Sequence, residues 1–291
     1  MAHHLLLPLG TALGTGVLGP VLLARIRWPQ QAPRLAVSLW LLLACTFVVA
    51  GWLTLAELLR VAGRAPEPLG AVLACSPWGT GSLLLALAFV LPGSALVREL
   101  LRTRRTRSRH RAALRLVGRK SPEVPATVLD SATPAVYCLP GLSPQIVVST
   151  GALSALTPGQ LRAALEHERA HLTGRHHLLV SAARACAVTI PGLPLARRLR
   201  EDIPLLLEMV ADDRAMRRCP PEELATALYR TATAGPPPGA FGLGGSFVLL
   251  RLRRILTPSR RFPGLLCGAS TLTCAVLVGA ALLGTCCTPS A

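Results

Sequence analysis

The nine cysteines of this chain include no C-x-x-C pair and no zinc-ribbon spacing, which excludes a cysteine-built zinc module. Acidic side chains are scarce: 14 Asp and Glu stand against 31 Lys and Arg, giving a formal charge of +17. No recognisable nucleic-acid module accompanies that basic excess, so direct nucleic-acid binding is not expected. No basic residue precedes the first apolar run, and no clear small-residue cleavage site follows it before Arg25. A cleaved leader is therefore not expected either.

What the chain has in quantity is apolar sequence. Mean hydropathy is +0.49 and 51% of residues are apolar, too much for a soluble domain of this length. Four stretches approach or exceed the roughly 18–20 residues needed to cross a hydrocarbon core: about 5–24, 35–59, 79–97 and 262–284. Arginines mark their flanks. Arg25, Arg27 and Arg34 follow the first stretch, and ten basic residues from Arg98 to Lys120 follow the third. Arg251, Arg253, Arg254, Arg260 and Arg261 precede the fourth, whereas the 60–78 loop balances Arg60 and Arg64 with Glu57 and Glu67. The positive-inside rule then puts both termini and the 60–78 loop outside, and residues 25–34 and 98–261 in the cytoplasm of a multi-pass cell-membrane protein. The basic run reads as a juxtamembrane segment attracted to the anionic lipid bilayer. Cys45, Cys75, Cys267 and Cys274 lie in or near spans, and Cys138, Cys186 and Cys219 read as small core residues on the reducing side. Cys286-Cys287 falls in the short external tail 285–291.

The 98–261 region suffices for one domain. A basic helix is expected over 98–120, then short strands at 124–129, 135–139 and 145–149 with a Pro140-Gly141 hairpin turn. Such a hairpin either offers a substrate peptide an edge to pair with or is purely structural. Thr157-Pro158-Gly159-Gln160 supplies a capping box that starts a helix carrying Leu161, Leu165 and Leu172, with Gly174 placed to end it. Further helices are expected over 178–190 (buried or skimming the membrane), 204–218, 222–233 and 246–256, with a loop at 234–245.

Inside the capped helix lies His167-Glu168-Arg169-Ala170-His171, an H-E-x-x-H pentapeptide. Histidines at i and i+4 share one helix face, so both imidazoles reach one zinc ion, and Glu168 is placed to act as general base on the attacking water. A catalytic zinc takes three protein ligands and keeps one open position. His176 and His177 lie too close behind His171 to supply the third and are expected to cap the helix end or face solvent. Glu208 is the better candidate, because a carboxylate on the apolar start of Leu205–Asp213 is costly unless paired or on a metal. Asp212, one turn on, is placed to accept a hydrogen bond from the far nitrogen of a ligand histidine. A plain network of these carboxylates with Arg214 or Arg218 is the competing account. Glu166 is expected to pair with Arg162 or Arg169 on the exposed face, and Asp213 to face solvent.

The run Val147-Val148-Ser149-Thr150-Gly151, the pentapeptide, Glu208-Met209-Val210-Ala211-Asp212 and the order of spans together resemble the BlaR/MecR-type integral membrane metallopeptidases. The HtpX/Ste24-type peptidases, which share the Glu-x-x-x-Asp spacing, are the nearest rival. The BlaR/MecR resemblance implies a mostly α protein with four transmembrane helices (three within 1–97, the fourth at 262–284) and a cytoplasmic α+β gluzincin domain at 98–261. It implies a metalloendopeptidase with His167, His171 and Glu208 on Zn2+ and Glu168 as base, acting on a protein substrate such as a winged-helix repressor. Two departures stand out: the sequence ends at Ala291 without the external sensor of the antibiotic-sensing members, and Arg169 puts a charge where such motifs have none. The other readings are an HtpX-like quality-control peptidase and a non-catalytic membrane signalling protein with a structural zinc, closed by a Cys or His.

Overall fold

The computed structural model describes residues 2–25, 28–63, 80–122, 124–233 and 245–257. The chain begins with α1 (Ala2–Leu13), which passes through a wider turn of π type at Gly14–Leu18 into α2 (Gly19–Leu23). A short α3 (Trp28–Gln31) leads to the long α4 (Pro33–Gly63). A Cβ on Gly16 would come within 2.7 Å of the Phe47 ring, so glycine is what lets the first segment close on α4. Leu6–Leu23 and Pro33–Leu59 have mean hydropathies of 1.7 and 2.1 and are long enough to cross a membrane. Only 22% and 39% of those stretches are buried against protein, so most of their apolar surface faces outward, as a lipid-facing helix requires. The third expected span forms the start of α5 (Thr80–Val117), and the fourth lies outside the described residues.

The unit that carries the chemistry comprises Glu99–Ser181 and Asp202–Arg261. It opens with the basic part of α5, which stops at Val117, three residues short of the expected end. Gly118 makes the turn: a Cβ there would meet Leu114 O at 2.5 Å and Thr127 Cγ2 at 2.7 Å. Strand β1 (Gly118–Lys120) follows, then β2 (Thr127–Leu129), β3 (Val136–Leu139) and β4 (Gln145–Ser149). The sheet order is β1-β2-β4-β3, with β2 parallel to β4 and the other pairs antiparallel. The β3–β4 hairpin turns at Gly141, whose φ of 148° suits glycine. Strand β3 therefore lies at an edge of the sheet.

Alternation along the strands builds two interfaces. Ile146 and Val148 point to one side, where they pack with Ala152, Leu156, Leu165 and Ala227, flanked by Val136 and Cys138. Val147 points to the other side with Leu139, Leu114 of α5 and Tyr137. Val147 and Val148 are fully buried, each contributing about 1.5–3 kcal/mol. The sheet is thus sandwiched between α5 and the helix that carries the H-E-x-x-H motif. That helix is α7 (Pro158–Thr173), preceded by the short α6 (Thr150–Ala155).

Four helices complete the described chain: α8 (His176–Thr189), α9 (Pro194–Ala215), α10 (Pro221–Thr233) and α11 (Gly245–Leu256). Pro204 does not start a helix, contrary to expectation, but sits inside α9. Proline removes one backbone donor there, yet the buried Leu199, Ile203, Leu206 and Leu207 on either side hold the helix together.

Candidate metal centre

The start of α7 follows from its cap. Thr157 Oγ1 accepts from Gln160 N at 3.3 Å, and the Gln160 side chain accepts from Thr157 N at 3.2 Å. Pro158 occupies the first turn, where its missing N–H costs nothing. Ala163 and Leu165 turn into the core, which fixes the rotation of the helix and aims His167 and His171 at α9.

Three side chains converge there. His167 Nε2 and His171 Nε2 are 3.1 Å apart, Glu208 Oε2 lies 3.3 Å from the first, and Glu208 Oε1 lies 3.4 Å from the second. Zinc bonds of about 2.0–2.1 Å in a tetrahedron put donor atoms roughly 3.3–3.4 Å apart. One ligand atom from each side chain lies within 4.8 Å of the others, close to that spacing, and the cluster holds no cysteine among the described residues. The three side chains form a plausible Zn2+ site of two imidazoles and one carboxylate.

The far nitrogen of each imidazole faces a polar side chain. His167 Nδ1 lies 3.0 Å from Asp212 Oδ1, and Asp212 is only 1% exposed. Burial opposes charge on His167, but its contacts with Asp212 and Glu208 outweigh that and raise its pKa to about 10. His171 Nδ1 lies 2.9 Å from His176 Nδ1. Burial and the neighbouring His171 push His176 down to about 3, so it stays neutral. His176 is thus neither a cap nor solvent-facing.

Gly174 explains how His176 fits. It ends α7 as expected but with ordinary helical dihedrals, and the left-handed residue of the turn is Arg175, at φ 48°. A Cβ on Gly174 would collide with His176 Nε2 and lie 2.5 Å from its Cδ2. Gly174→Ala should drive His176 off His171 and weaken zinc binding by about tenfold, the scale of losing the partner behind a ligand histidine. Competition with a chromogenic chelator measures this, and an unchanged affinity would mean that His176 does not hold His171.

Arg251 was not anticipated at the site. Leu252 and Ile255 anchor α11 against Ala163, Ala215 and Leu224, and the same helix delivers a buried guanidinium to the carboxylates. Arg251 donates to Asp212 from Nε at 2.9 Å and Nη2 at 2.8 Å, and its Nη1 lies 2.8 Å from Glu208 Oε2. Burial alone would raise the pKa of both carboxylates. Arg251 instead holds Glu208 well below the usual carboxylate range and Asp212 down to about 2. Among sequence signals, only the arginine's i, i+4 relation to apolar Ile255 hinted that it turns inward.

Glu168 is half-buried on α7, and its carboxylate is close enough to Cys138 of edge strand β3 to act on the thiol. Burial, with Glu168 and Glu208 nearby, pushes the Cys138 pKa up, so it remains a thiol and not a thiolate ligand. Cys219 behaves as the expected core residue, donating to Ala215 O at 3.0 Å. Glu166 pairs with Arg169 as expected and also with Arg218 at 3.0 Å, but it is largely buried. Asp213 does not face solvent freely: it pairs with Arg254 at 2.7 Å.

Residues 99–200 match the model of Peptidase family M48. No curated protein and no solved structure gives a match. The family match overturns the BlaR/MecR resemblance, whose motif and order of spans do not separate the two kinds of enzyme. It ends before Glu208, so the third donor is supplied by the geometry alone. Together the match and the His167–His171–Glu208 cluster make the chain a zinc metallopeptidase with a gluzincin-type triad.

Proposed function

We propose that the chain is a membrane-anchored zinc endopeptidase of HtpX-like type, hydrolysing damaged or misassembled membrane proteins at a site facing the cytoplasm. The observation that carries the chemistry is the convergence of His167, His171 and Glu208, with one ligand atom of each within 4.8 Å of the others and Glu168 next to the first. The M48 match supports the HtpX-like reading, and the outward-facing apolar helices support the anchoring. The arginines at 25–34 and 98–120 support the orientation. The proposed winged-helix repressor substrate rested on the BlaR/MecR resemblance and falls with it.

Zinc, when bound, supplies a Lewis acid for the scissile carbonyl and brings the acidity of water close to neutral pH. His167, His171 and Glu208 hold it. In this reading Asp212 keeps His167 in the tautomer that leaves Nε2 free to bind, and His176 does the same for His171. The Glu168 carboxylate takes the proton of the attacking water and passes it to the departing amine. The edge of β3, which carries Cys138 beside Glu168, is where an extended substrate can add a strand.

Comparison of new protein N-termini in cells carrying the parent or Glu168→Gln tests this reading. Many cut membrane proteins, present only with the parent and rising under membrane stress, are expected. A single cut regulator would contradict quality control, and identical sets would contradict the peptidase role.

A further inference from the structure

Helix α11 has two unlike faces. Its inner face packs Ile255 into the core and sends the buried Arg251 to the metal centre, with Nη1 2.8 Å from Glu208 Oε2 and Nη2 2.8 Å from Asp212 Oδ1. Residues 249, 253 and 256, at i, i+4 and i+7, form one stripe on the opposite face. There Leu249 is 68% exposed and Leu256 58% exposed, with Arg253 exposed between them. Single exposed leucines are ordinary on protein surfaces. Two on one stripe are not, since a helix that meets only water carries polar and charged side chains on its outer face. The helix also holds no acidic residue to balance its three arginines. Two of them are neutralised by the domain itself: Arg251 by Glu208 and Asp212, and Arg254 by Asp213 at 2.7 Å. Arg111 of the basic run on α5 is likewise held by protein, donating to Leu139 O at 3.3 Å and Pro140 O at 2.6 Å. Arg253 alone of the α11 arginines has no hydrogen bond or ion pair among the described residues. Just beyond α11 the sequence runs through Arg260 and Arg261 into the apolar stretch 262–284.

Resting on the peptidase reading above, we propose that the Leu249–Arg253–Leu256 stripe lays α11 on an anionic lipid surface and so directs the enzyme to peptide bonds close to a membrane. The two leucines enter the boundary between headgroups and acyl chains, where their apolar area leaves water. Arg253 reaches the lipid phosphates. Charge selects the partner: the stripe offers a cation and no anion, which a phosphate-rich surface complements and a protein face of mixed charge does not. The apolar stretch 262–284, long enough to cross a bilayer, follows closely and leaves α11 little chain with which to depart from that surface. Arg251 leaves the same helix on the other side, so the metal centre stands off the lipid by about one helix diameter, roughly 10–12 Å. An extended chain covers that distance in about three or four residues. The substrate is a segment leaving a bilayer, cut within a few residues of the surface.

The test places the photocrosslinker benzoylphenylalanine at position 249, or at the inward position 252, of the full-length protein in liposomes of phosphatidylcholine with or without phosphatidylserine. Position 249 should give lipid adducts by mass spectrometry, and position 252 adducts within the domain. The lipid yield at 249 should rise about fivefold with phosphatidylserine, the scale of one arginine at an anionic surface, and Arg253→Gln should remove that rise. Adducts from position 249 to protein, whether another chain or this chain's own helices, overturn the docking. So does a lipid yield indifferent to phosphatidylserine. In the same liposomes, the zinc-loaded protein should cut an anchored substrate with its scissile bond about 4 residues from the span faster than one with the bond about 15 residues out. The expected ratio is about tenfold, since the distant bond is rarely held at the site. The triple variant Leu249→Ser, Arg253→Gln, Leu256→Ser should lose that preference while cutting a soluble peptide at the parent rate. Equal cutting of the two anchored substrates, or a preference that survives the triple variant, overturns the direction to membrane-proximal bonds. If nothing is cut, the crosslinks still decide the docking, and the peptidase reading fails alone.

Discussion

Glu168→Gln should keep one zinc per chain and lose cleavage by about 10²–10⁴-fold in kcat, the range that a positioned general acid–base contributes. Glutamine keeps the size and polarity of the side chain but cannot take a proton from water. The metal face is built by His167, His171 and Glu208, whose donor atoms lie 3.1–3.4 Å apart without any contribution from Glu168. Loss of zinc in this variant, or an undiminished rate, would remove Glu168 from the role of base.

Arg251→Ala is expected to cost more stability than any other single change near the site, and unequally in the two metal states. In the metal-free fold the guanidinium is the main counter-charge to buried Asp212 and to Glu208, at 2.8 Å from each. Removing one partner of a buried ion pair costs roughly 3–5 kcal/mol, or on the order of 10 °C in melting temperature for a domain of this size. A divalent cation against Glu208 replaces part of that counter-charge. Thermal unfolding in chelator should therefore drop far more than unfolding in excess zinc. Arg251→Lys should recover part of the loss, since it restores the charge without the planar fork. Equal drops in chelator and in zinc would mean that Arg251 merely packs.

How much of this was legible depended on whether residues were related by local spacing. Thr157 and Gln160 are three apart, and the capping box they form was readable before any fold was known. The same holds for His167 and His171 on one helical face, and for Glu208 and Asp212 on another; the structure brings the two pairs together. Arg251 is 84 residues from His167, and its flanking arginines made it look like part of a membrane border. Its position is set by Leu252 and Ile255, a packing relation invisible without the partner helices. His176 was set aside because it follows a helix-ending glycine closely. That glycine instead leaves room for the imidazole to fold back over it, and the left-handed turn passes to Arg175. Pro204 misled for a related reason: proline favours a first turn, but buried leucines on both sides carry α9 straight through it.

The resemblance to BlaR/MecR enzymes failed on evidence of a different kind. An H-E-x-x-H helix followed by Glu-x-x-x-Asp specifies a metal geometry, and several lineages share that geometry. The M48 model matches residues 99–200, a segment that holds the sheet as well as the H-E-x-x-H helix.

Zinc-edge X-ray absorption on the purified full-length chain tests the central claim most directly. The account predicts one zinc per chain bound only by nitrogen and oxygen at about 2.0–2.1 Å, with the scattering of two imidazoles. A sulfur at about 2.3 Å would contradict it: Cys138 would then close the site, and the zinc would be structural.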